Sequence, residues 1–199
     1  GLIHQVRFHP NKPEIAACTR DRIYVWDVIS GRLLRTLELP RDAHRLLYDG
    51  SGERMVIACR DFVVRVLDAQ TGKVIDSEFQ RHRSHVDDLA ISRDGRYLAS
   101  ASRDRRILVH DLTTGERLHT LDHHTGPVSS VVFSPDGERL ISTGVDGTIL
   151  IQDLITGQEL VSLPTQSVRP SLLAISSDGA SLVHSPLGSS VLQIRKEQR

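Results

Sequence analysis

The 199 residues suffice for one domain with a substantial core, and 25 Lys and Arg residues balance 25 Asp and Glu residues. A net charge of zero excludes a general electrostatic attraction to nucleic acid or membrane surfaces, and no run of about 18 apolar residues is present that could span a membrane. Cys18 and Cys59 are the only cysteines, with neither a CxxC spacing nor a dense cysteine framework. We therefore predict a reducing compartment and a cytoplasmic location.

Short apolar runs rich in β-branched residues alternate with turn signals along the whole chain, most clearly over residues 129–157. Each run is too short for a helix, so the pattern predicts β-strands joined by tight turns. Three series of residues recur at spacings of 40 to 43 positions. They are Asp27, Asp68, Asp111 and Asp153; Gly31, Gly72, Gly115 and Gly157; and Phe8, Tyr48, Ile91, Phe133 and Ile175. This agreement predicts a repeat protein with about 42 residues per unit.

In chain order, the predicted units cover residues 2–39, 40–78, 79–121, 122–163 and 164–199. Each complete unit contains four strand-like runs, which in the third unit are 88–92, Tyr97–Ser102, Ile107–Asp111 and Arg117–Leu121. The last unit has room for three. No amphipathic helical pattern of 10–15 residues interrupts the series, so an all-β fold is predicted.

These motifs resemble those of the WD-repeat β-propeller family. The first unit contains the Trp26-Asp27 pair, and the fourth contains a Ser-Pro-Asp-Gly turn at 134–137 and a Thr-Gly turn at 156–157. The resemblance covers nearly the whole chain and implies four-stranded antiparallel blades arranged radially around a channel. Four complete blades and one without its outer strand are visible. We expect the C-terminal portion of a larger, seven-bladed ring; the alternatives are a five-bladed ring or completion by a second chain.

By this resemblance, two units carry residues at the positions of the family's buried hydrogen-bonding tetrad. The fourth unit has Gln152 in place of the family's Trp, the third has His110 there, and Trp26 alone matches it. The tetrad-like residues are His82, Ser100, Asp104 and His110 in the third unit, His124, Ser142, Asp146 and Gln152 in the fourth, and Trp26 in the first.

A Ser-His-Asp set is also the pattern of a hydrolase triad, so the tetrad-like residues have a catalytic alternative. Catalysis needs an exposed nucleophile beside an oxyanion hole, whereas two copies at one repeat position favour a shared structural role. We therefore predict a structural network, no catalytic residues and no enzyme. The histidines lack the ligand spacing of a closed metal site, and no nucleotide or phosphate-binding fingerprint occurs, so neither a metal nor a cofactor is predicted.

Cys18 and Cys59 occupy one repeat position in neighbouring units. Packed sheets lie about 10 Å apart, beyond the roughly 7 Å that a disulfide allows between Cα atoms. The prediction is therefore two buried free thiols.

A finer pattern concerns arginines beside the turn between the second and third strands of units one to three. Arg-Asp pairs occur at 20–21, 60–61 and 103–104, whereas the fourth unit has Val145 there. The candidate partner-binding residues are Arg20, Arg22, Arg60, Arg83, Arg103 and Arg105. We hypothesise a basic crescent that receives an acidic or phosphorylated protein segment; the alternative is an ordinary solvated rim.

The predicted function is a non-catalytic scaffold that presents loop surfaces to protein or peptide partners, as the family resemblance implies. Neither nucleic acid nor a membrane is expected as a partner, since aromatic residues are few and the net charge is zero. The alternatives are a regulatory or sensor module attached to a catalytic domain outside this sequence, such as a kinase, and a propeller enzyme.

Overall fold

The computed structural model describes residues 2–39, 42–76, 81–165, 170–186 and 193–196. Within these ranges all regular secondary structure is β-strand, so the all-β prediction is confirmed. Consecutive strands pair antiparallel into four four-stranded sheets and one three-stranded sheet.

Each sheet is a meander of strands that follow one another along the chain. Sheet 1 comprises β1 (Gln5–Phe8), β2 (Glu14–Cys18), β3 (Arg22–Asp27) and β4 (Leu33–Glu38). Sheet 2 comprises β5 (Ala43–Tyr48), β6 (Arg54–Cys59), β7 (Val64–Asp68) and β8 (Val74–Asp76). Sheet 3 comprises β9 (Val86–Ile91), β10 (Tyr97–Ser102), β11 (Ile107–Asp111) and β12 (Arg117–Leu121). Sheet 4 comprises β13 (Val128–Phe133), β14 (Arg139–Gly144), β15 (Thr148–Asp153) and β16 (Glu159–Pro164). Sheet 5 comprises β17 (Pro170–Ile175), β18 (Ser181–Pro186) and β19 (Gln193–Lys196).

The strand registers repeat from sheet to sheet. In each of the four-stranded sheets the pairing of the third and fourth strands shifts at one equivalent residue, namely Trp26, Leu67, His110 or Gln152. An irregularity that recurs at one position in each of these sheets is a regular feature of the repeat. Such a bulge changes the direction of the side chain beside it.

Three of the four strands predicted in the third unit have the predicted bounds, and the first does not. It begins at Val86 rather than at residue 88, and it ends at Ile91 rather than at residue 92. Consecutive aspartates are poor strand formers, so the sequence places the start too late. In the structure Asp87 receives a charged hydrogen bond from Arg103, and Asp88 accepts one from the next sheet.

The hairpin loop between the second and third strands has two lengths. In sheet 1 the Thr19 N–H donates to the Arg22 carbonyl, which closes a two-residue loop. In sheets 2 to 4 the loop is one residue longer, and its third residue lies in the left-handed region. These residues are Phe62 (φ 70°), Arg105 (φ 72°) and Gly147 (φ 78°). A three-residue hairpin loop requires this conformation, which glycine adopts without steric cost.

The chain divides into two compact units, Gly1–Val86 and Asp87–Arg199. In the first, alternate side chains of sheet 1 pack against sheet 2, as period-two strands require. Ile23 and Val25 lie in one cluster with Leu46, Met55 and Leu67, all fully buried.

The same cluster contains both cysteines, which are buried and free, as the sequence predicts. Burial raises the pKa of the Cys18 thiol to about 12 and that of Cys59 to about 11. Neither thiol is therefore ionised near neutral pH, so both behave as small apolar core groups.

In the second unit one apolar cluster lies between sheets 3 and 4 and another joins sheet 4 to sheet 5. The first is formed by Ala99, Ala101, Ile107, Val109, Val131, Phe133 and Leu140, with other buried neighbours. The second contains Ile141, Ile149 and Leu173.

A side-chain oxygen links the first strands of sheets 1 and 2, and another links those of sheets 3 and 4. The Gln5 side-chain oxygen accepts the Leu46 N–H at 2.6 Å, and the Asp88 carboxylate accepts the Val131 N–H at 3.2 Å. In both, an acceptor at one repeat position binds the backbone of the following sheet, so packing and hydrogen bonding fix the same register.

A second link joins the fourth strand of one sheet to the turn after the third strand of the next. Arg35 Nε donates to the Ala69 carbonyl at 3.3 Å, and His119 Nε2 donates to the Leu154 carbonyl at 2.8 Å. Sheets 1 and 2 are therefore linked at both their first and their fourth strands, and so are sheets 3 and 4.

Candidate functional site

The structure brings together three of the tetrad-like residues of the fourth repeat. His124 Nδ1 lies 2.9 Å from Asp146 Oδ2, and His124 Nε2 lies 2.9 Å from the Ser142 hydroxyl. Asp146 stands on the loop between β14 and β15, and Ser142 lies within β14. Ser142 has no exposed surface. The histidine thus bridges the loop and the strand behind it.

The Asp146 carboxylate is the centre of this network. Its Oδ2 also accepts the Thr125 N–H at 2.9 Å and the Gly126 N–H at 3.2 Å. Its Oδ1 accepts the Thr148 N–H at 3.1 Å and the Thr148 hydroxyl at 2.7 Å. One carboxylate therefore ties the segment before β13 to the loop before β15. The sequence did not indicate Thr148, although a threonine two residues after a turn aspartate often bonds it.

Burial and hydrogen bonding set the protonation of the pair. Burial lowers the pKa of His124, against the opposing influence of Asp146. Burial acts to raise the pKa of Asp146, but hydrogen bonds from Thr148 and His124 outweigh it and the pKa is lowered. A carboxylate can only accept, so Nδ1 of neutral His124 carries the proton and Nε2 accepts from Ser142.

Gln152 does not extend this network in the manner expected of the fourth tetrad position. Its side-chain amide donates to His123 Nδ1 at 2.7 Å, and its Oε1 is buried without a partner among the described residues. The sequence did not indicate His123 as its partner. The glutamine side chain is shorter than that of tryptophan and carries both a donor and an acceptor, so Gln152 hydrogen-bonds a different neighbour.

The third-repeat residues lie in equivalent elements. Ser100, in β10, donates to the Leu108 carbonyl at 3.5 Å, and the Asp104 carboxylate accepts the Arg106 N–H at 3.0 Å. His110, in β11, and His82, which precedes β9 and belongs to the compact unit Gly1–Val86, are both buried.

In the second repeat the turn aspartate has a partner that the sequence reasoning missed. Both oxygens of Asp61 accept hydrogen bonds from Arg65, at 2.9 and 2.7 Å. This bidentate pair is mostly buried, and its hydrogen bonds lower the pKa of Asp61. The available signal was an arginine four residues after the turn aspartate. Trp26 of the first repeat is half-buried and stacks on Tyr24, with ring centroids 5.7 Å apart.

The candidate arginines fall into two groups, of which the first faces carboxylates. Arg20 Nε lies 2.6 Å from Asp42, Arg22 Nε lies 3.1 Å from Glu38, and Arg103 Nε lies 2.8 Å from Asp87. These exposed or half-exposed ion pairs already hold an anion at each guanidinium, which reduces the net charge that they offer to a partner.

The second group comprises Arg60, Arg83 and Arg105, which are exposed. The side chains of Arg60 and Arg105 make no hydrogen bond or ion pair within the part of the chain that the structure describes. Arg60 follows the end of β6, and its N–H donates to the Asp42 carbonyl at 2.8 Å. Arg105 is one of the left-handed loop residues.

The sheets and loops define an all-β repeat protein built of consecutive four-stranded antiparallel meanders. A family model described as "WD domain, G-beta repeat" matches residues 73–111 and 115–153. The chain therefore carries WD repeats, as the sequence predicts. Each matched stretch begins beside the fourth strand of one sheet and ends with the third strand of the next.

Two similar proteins agree with this assignment. The U3 small nucleolar RNA-associated protein 21 homolog of Schizosaccharomyces pombe is 33% identical over 96 residues, which cover 48% of this chain and 10% of that protein. WD repeat-containing protein 36 of Homo sapiens is 32% identical over 90 residues, covering 45% of this chain and 10% of that protein. The chain therefore matches about a tenth of the length of either relative. WD-repeat proteins generally act as scaffolds for protein interactions. In the described residues no helix could cross a membrane.

Proposed function

We propose that this chain is a non-catalytic scaffold that binds a protein or peptide segment at the arginine-bearing loops between second and third strands. The observation that carries the proposal is the contrast between a buried polar network and exposed arginines. Ser142, His124 and Asp146 are directed at one another in a buried network, whereas Arg60 and Arg105 are exposed. Exposed guanidinium groups can bind a partner, and a buried serine cannot meet a substrate.

The structural role proposed for the Ser142 network has its own test. We expect Ser142→Ala to lower thermal stability, because it leaves His124 Nε2 buried without a donor. Wild-type protein should show no esterase or amidase turnover on a panel of p-nitrophenyl esters and anilides. Turnover by the wild type that disappears in Ser142→Ala would overturn the non-catalytic proposal.

The partner proposed is acidic or phosphorylated, because arginine forks match carboxylates and phosphates. The double variant Arg60→Glu/Arg103→Glu should lose most partner recovery in pull-downs from extracts of the source cell, and recovery by the wild type should fall with salt. Arg93→Glu is the matched control, since Arg93 lies in the turn between β9 and β10, at the opposite end of sheet 3 from Arg103. Equal recovery by the double variant and the wild type would remove the proposed site.

Location is a separate part of the proposal. Free buried thiols suit a reducing compartment, and the sequence predicts the cytoplasm. The name of the S. pombe relative refers to a small nucleolar RNA, so a role beside proteins of an RNA-containing assembly is the alternative. Imaging the tagged chain with a nucleolar marker distinguishes them: nucleolar signal would overturn the cytoplasmic prediction.

A further inference from the structure

Phe62 occupies a backbone position that suits glycine. It is the third residue of the hairpin loop between β6 and β7, and its φ is 70°, whereas the equivalent residue of sheet 4 is Gly147. A bulky residue in the left-handed region is a steric outlier, and such outliers concentrate at binding sites. Phe62 is not part of the buried cluster between sheets 1 and 2, and its side chain is half-buried. That cluster therefore does not account for the aromatic ring.

The loop holds this ring in a defined place. The His85 ring meets Phe62 edge to face, with centroids 5.0 Å apart and planes at 84°. The Phe62 N–H donates to the Cys59 carbonyl, and the Phe62 carbonyl accepts the His82 N–H at 3.0 Å. His85 itself lies against His44, with ring centroids 6.5 Å apart. The His85 contact therefore fixes the position of a ring that keeps part of its surface exposed.

Positive charge surrounds the ring. Arg60 is exposed two residues before it, and Arg81 donates from Nε to the carbonyl of Asp61, the residue before Phe62, at 3.0 Å. The carboxylate of Asp61 accepts both of its charged hydrogen bonds from Arg65 and attracts Arg81 only through space. Arg60 and Arg81 therefore flank the loop, and both are exposed.

We propose that Phe62, Arg60 and Arg81 form a binding site for an acidic peptide segment that carries an apolar or aromatic side chain beside a carboxylate or phosphate. The apolar side chain contacts the exposed part of Phe62, and the anion binds the two guanidinium groups. This inference rests on the proposed scaffold function and names its partner chemistry. A peptide is favoured over single-stranded nucleic acid because the patch has one aromatic platform, whereas strands stack successive bases on several.

The test uses fluorescein-labelled 12-residue probes and fluorescence anisotropy with the full chain. One peptide is glutamate-rich with a central Phe, a second has Ala in place of that Phe, and two more add a phosphoserine beside the central residue. A ten-nucleotide oligouridylate is the nucleic-acid probe. The four peptides separate the apolar contribution from the anionic one and distinguish carboxylate from phosphate as its source.

The decisive variant is Phe62→Gly, which removes the ring and leaves a residue suited to the loop. We expect it to remain folded, with an unchanged or higher melting temperature, and to bind the Phe-containing peptides at least about tenfold more weakly. Phe8→Ala is the matched control, because it removes an aromatic ring that is 69% exposed at the end of β1, outside the proposed site, and should leave binding unchanged. Arg60→Glu should weaken all four peptides.

Each result bears on a named part of the inference. Loss of affinity in Arg60→Glu but not in Phe62→Gly would overturn the role of the ring and leave the acidic-partner proposal intact. No binding of any peptide to the wild type at millimolar concentration would overturn the site, while the pull-down variants test the scaffold function separately. Tighter binding of the oligouridylate, lost in Phe62→Gly, would overturn the peptide assignment in favour of nucleic acid.

Discussion

Replacing Asp146 with alanine should destabilise the second unit more than any exposed turn substitution. The change removes five hydrogen bonds that end on one carboxylate. Their donors are the backbone N–H groups of Thr125, Gly126 and Thr148, the Thr148 hydroxyl and the His124 ring. After the substitution the His124 Nδ1–H faces a cavity, because the ring is buried against Ser142.

The magnitude follows from which donors water can reach. Thr125 is exposed, so its N–H can bond solvent, whereas His124 and the half-buried Thr148 lose partners that water does not readily replace. A buried polar group left unpaired costs about 1–3 kcal/mol, and removing one member of a buried charged network costs about 3–5 kcal/mol. We expect a loss of about 3–5 kcal/mol, which lowers the melting temperature by roughly 2–4 °C per kcal/mol in a chain of this size.

Urea unfolding followed by far-UV circular dichroism, together with calorimetry, measures this loss. The control is Asp153→Ala, because Asp153 also accepts a threonine N–H and hydroxyl, from Thr156, but these hydrogen bonds are exposed to solvent. We expect the control to lose much less stability. Equal losses in the two variants would refute the reasoning, since burial would then not decide the value of these hydrogen bonds.

Three further outcomes are expected. The pKa of His124 is lowered from 6.5 in the folded chain, so the unfolded chain binds more protons and stability should fall as pH decreases below about 6.5. In His124→Gln, the pH dependence of the urea midpoint between pH 7.5 and 5.5 should become weaker. Gly52→Ala should cost about 1–3 kcal/mol more than Gly31→Ala in the same assay, because both have positive φ but a Cβ on Gly52 would lie 2.2 Å from the His9 ring, whereas one on Gly31 meets nothing within 4 Å; equal costs would contradict the contact. Asp88→Ala should cost about 1–3 kcal/mol and Asp88→Asn less, because only the latter keeps an acceptor for the next sheet; identical thermal shifts would contradict this link.

The fold could be predicted because its signals are local and repeated. Each unit marks the same turns with Asp and Gly, and nine glycines of the described residues do adopt positive φ. The apolar runs between those turns have the length and period of strands, so antiparallel pairing follows from tight turns. The start of β9 was not predicted correctly, because its aspartates hydrogen-bond residues that are distant in sequence, and strand propensity does not include such contacts.

The site could be predicted in position but only partly in its contacts. The repeat alignment located His124, Ser142 and Asp146, since equivalent backbone places equivalent side chains together. It did not identify Arg65 or His123, because the choice of partner depends on side-chain length and direction. The pairing of Arg103 with Asp87 was missed for the same reason.

The turn aspartate explains why the repeat survives while its partners diverge. Oδ1 of Asp61, Asp104 and Asp146 accepts the N–H two residues ahead in the three-residue loops, at 3.3, 3.0 and 3.1 Å. This bond is local and stabilises the loop whichever residue occupies its left-handed position. The other oxygen is then free to take a different partner in each sheet, Arg65 in one and His124 in another. Because the local bond holds the hairpin loop together, loss of a distant partner lowers stability without removing the turn. The residue after the aspartate can therefore be Gly, Phe or Arg, and a Phe or Arg side chain there can contact a partner.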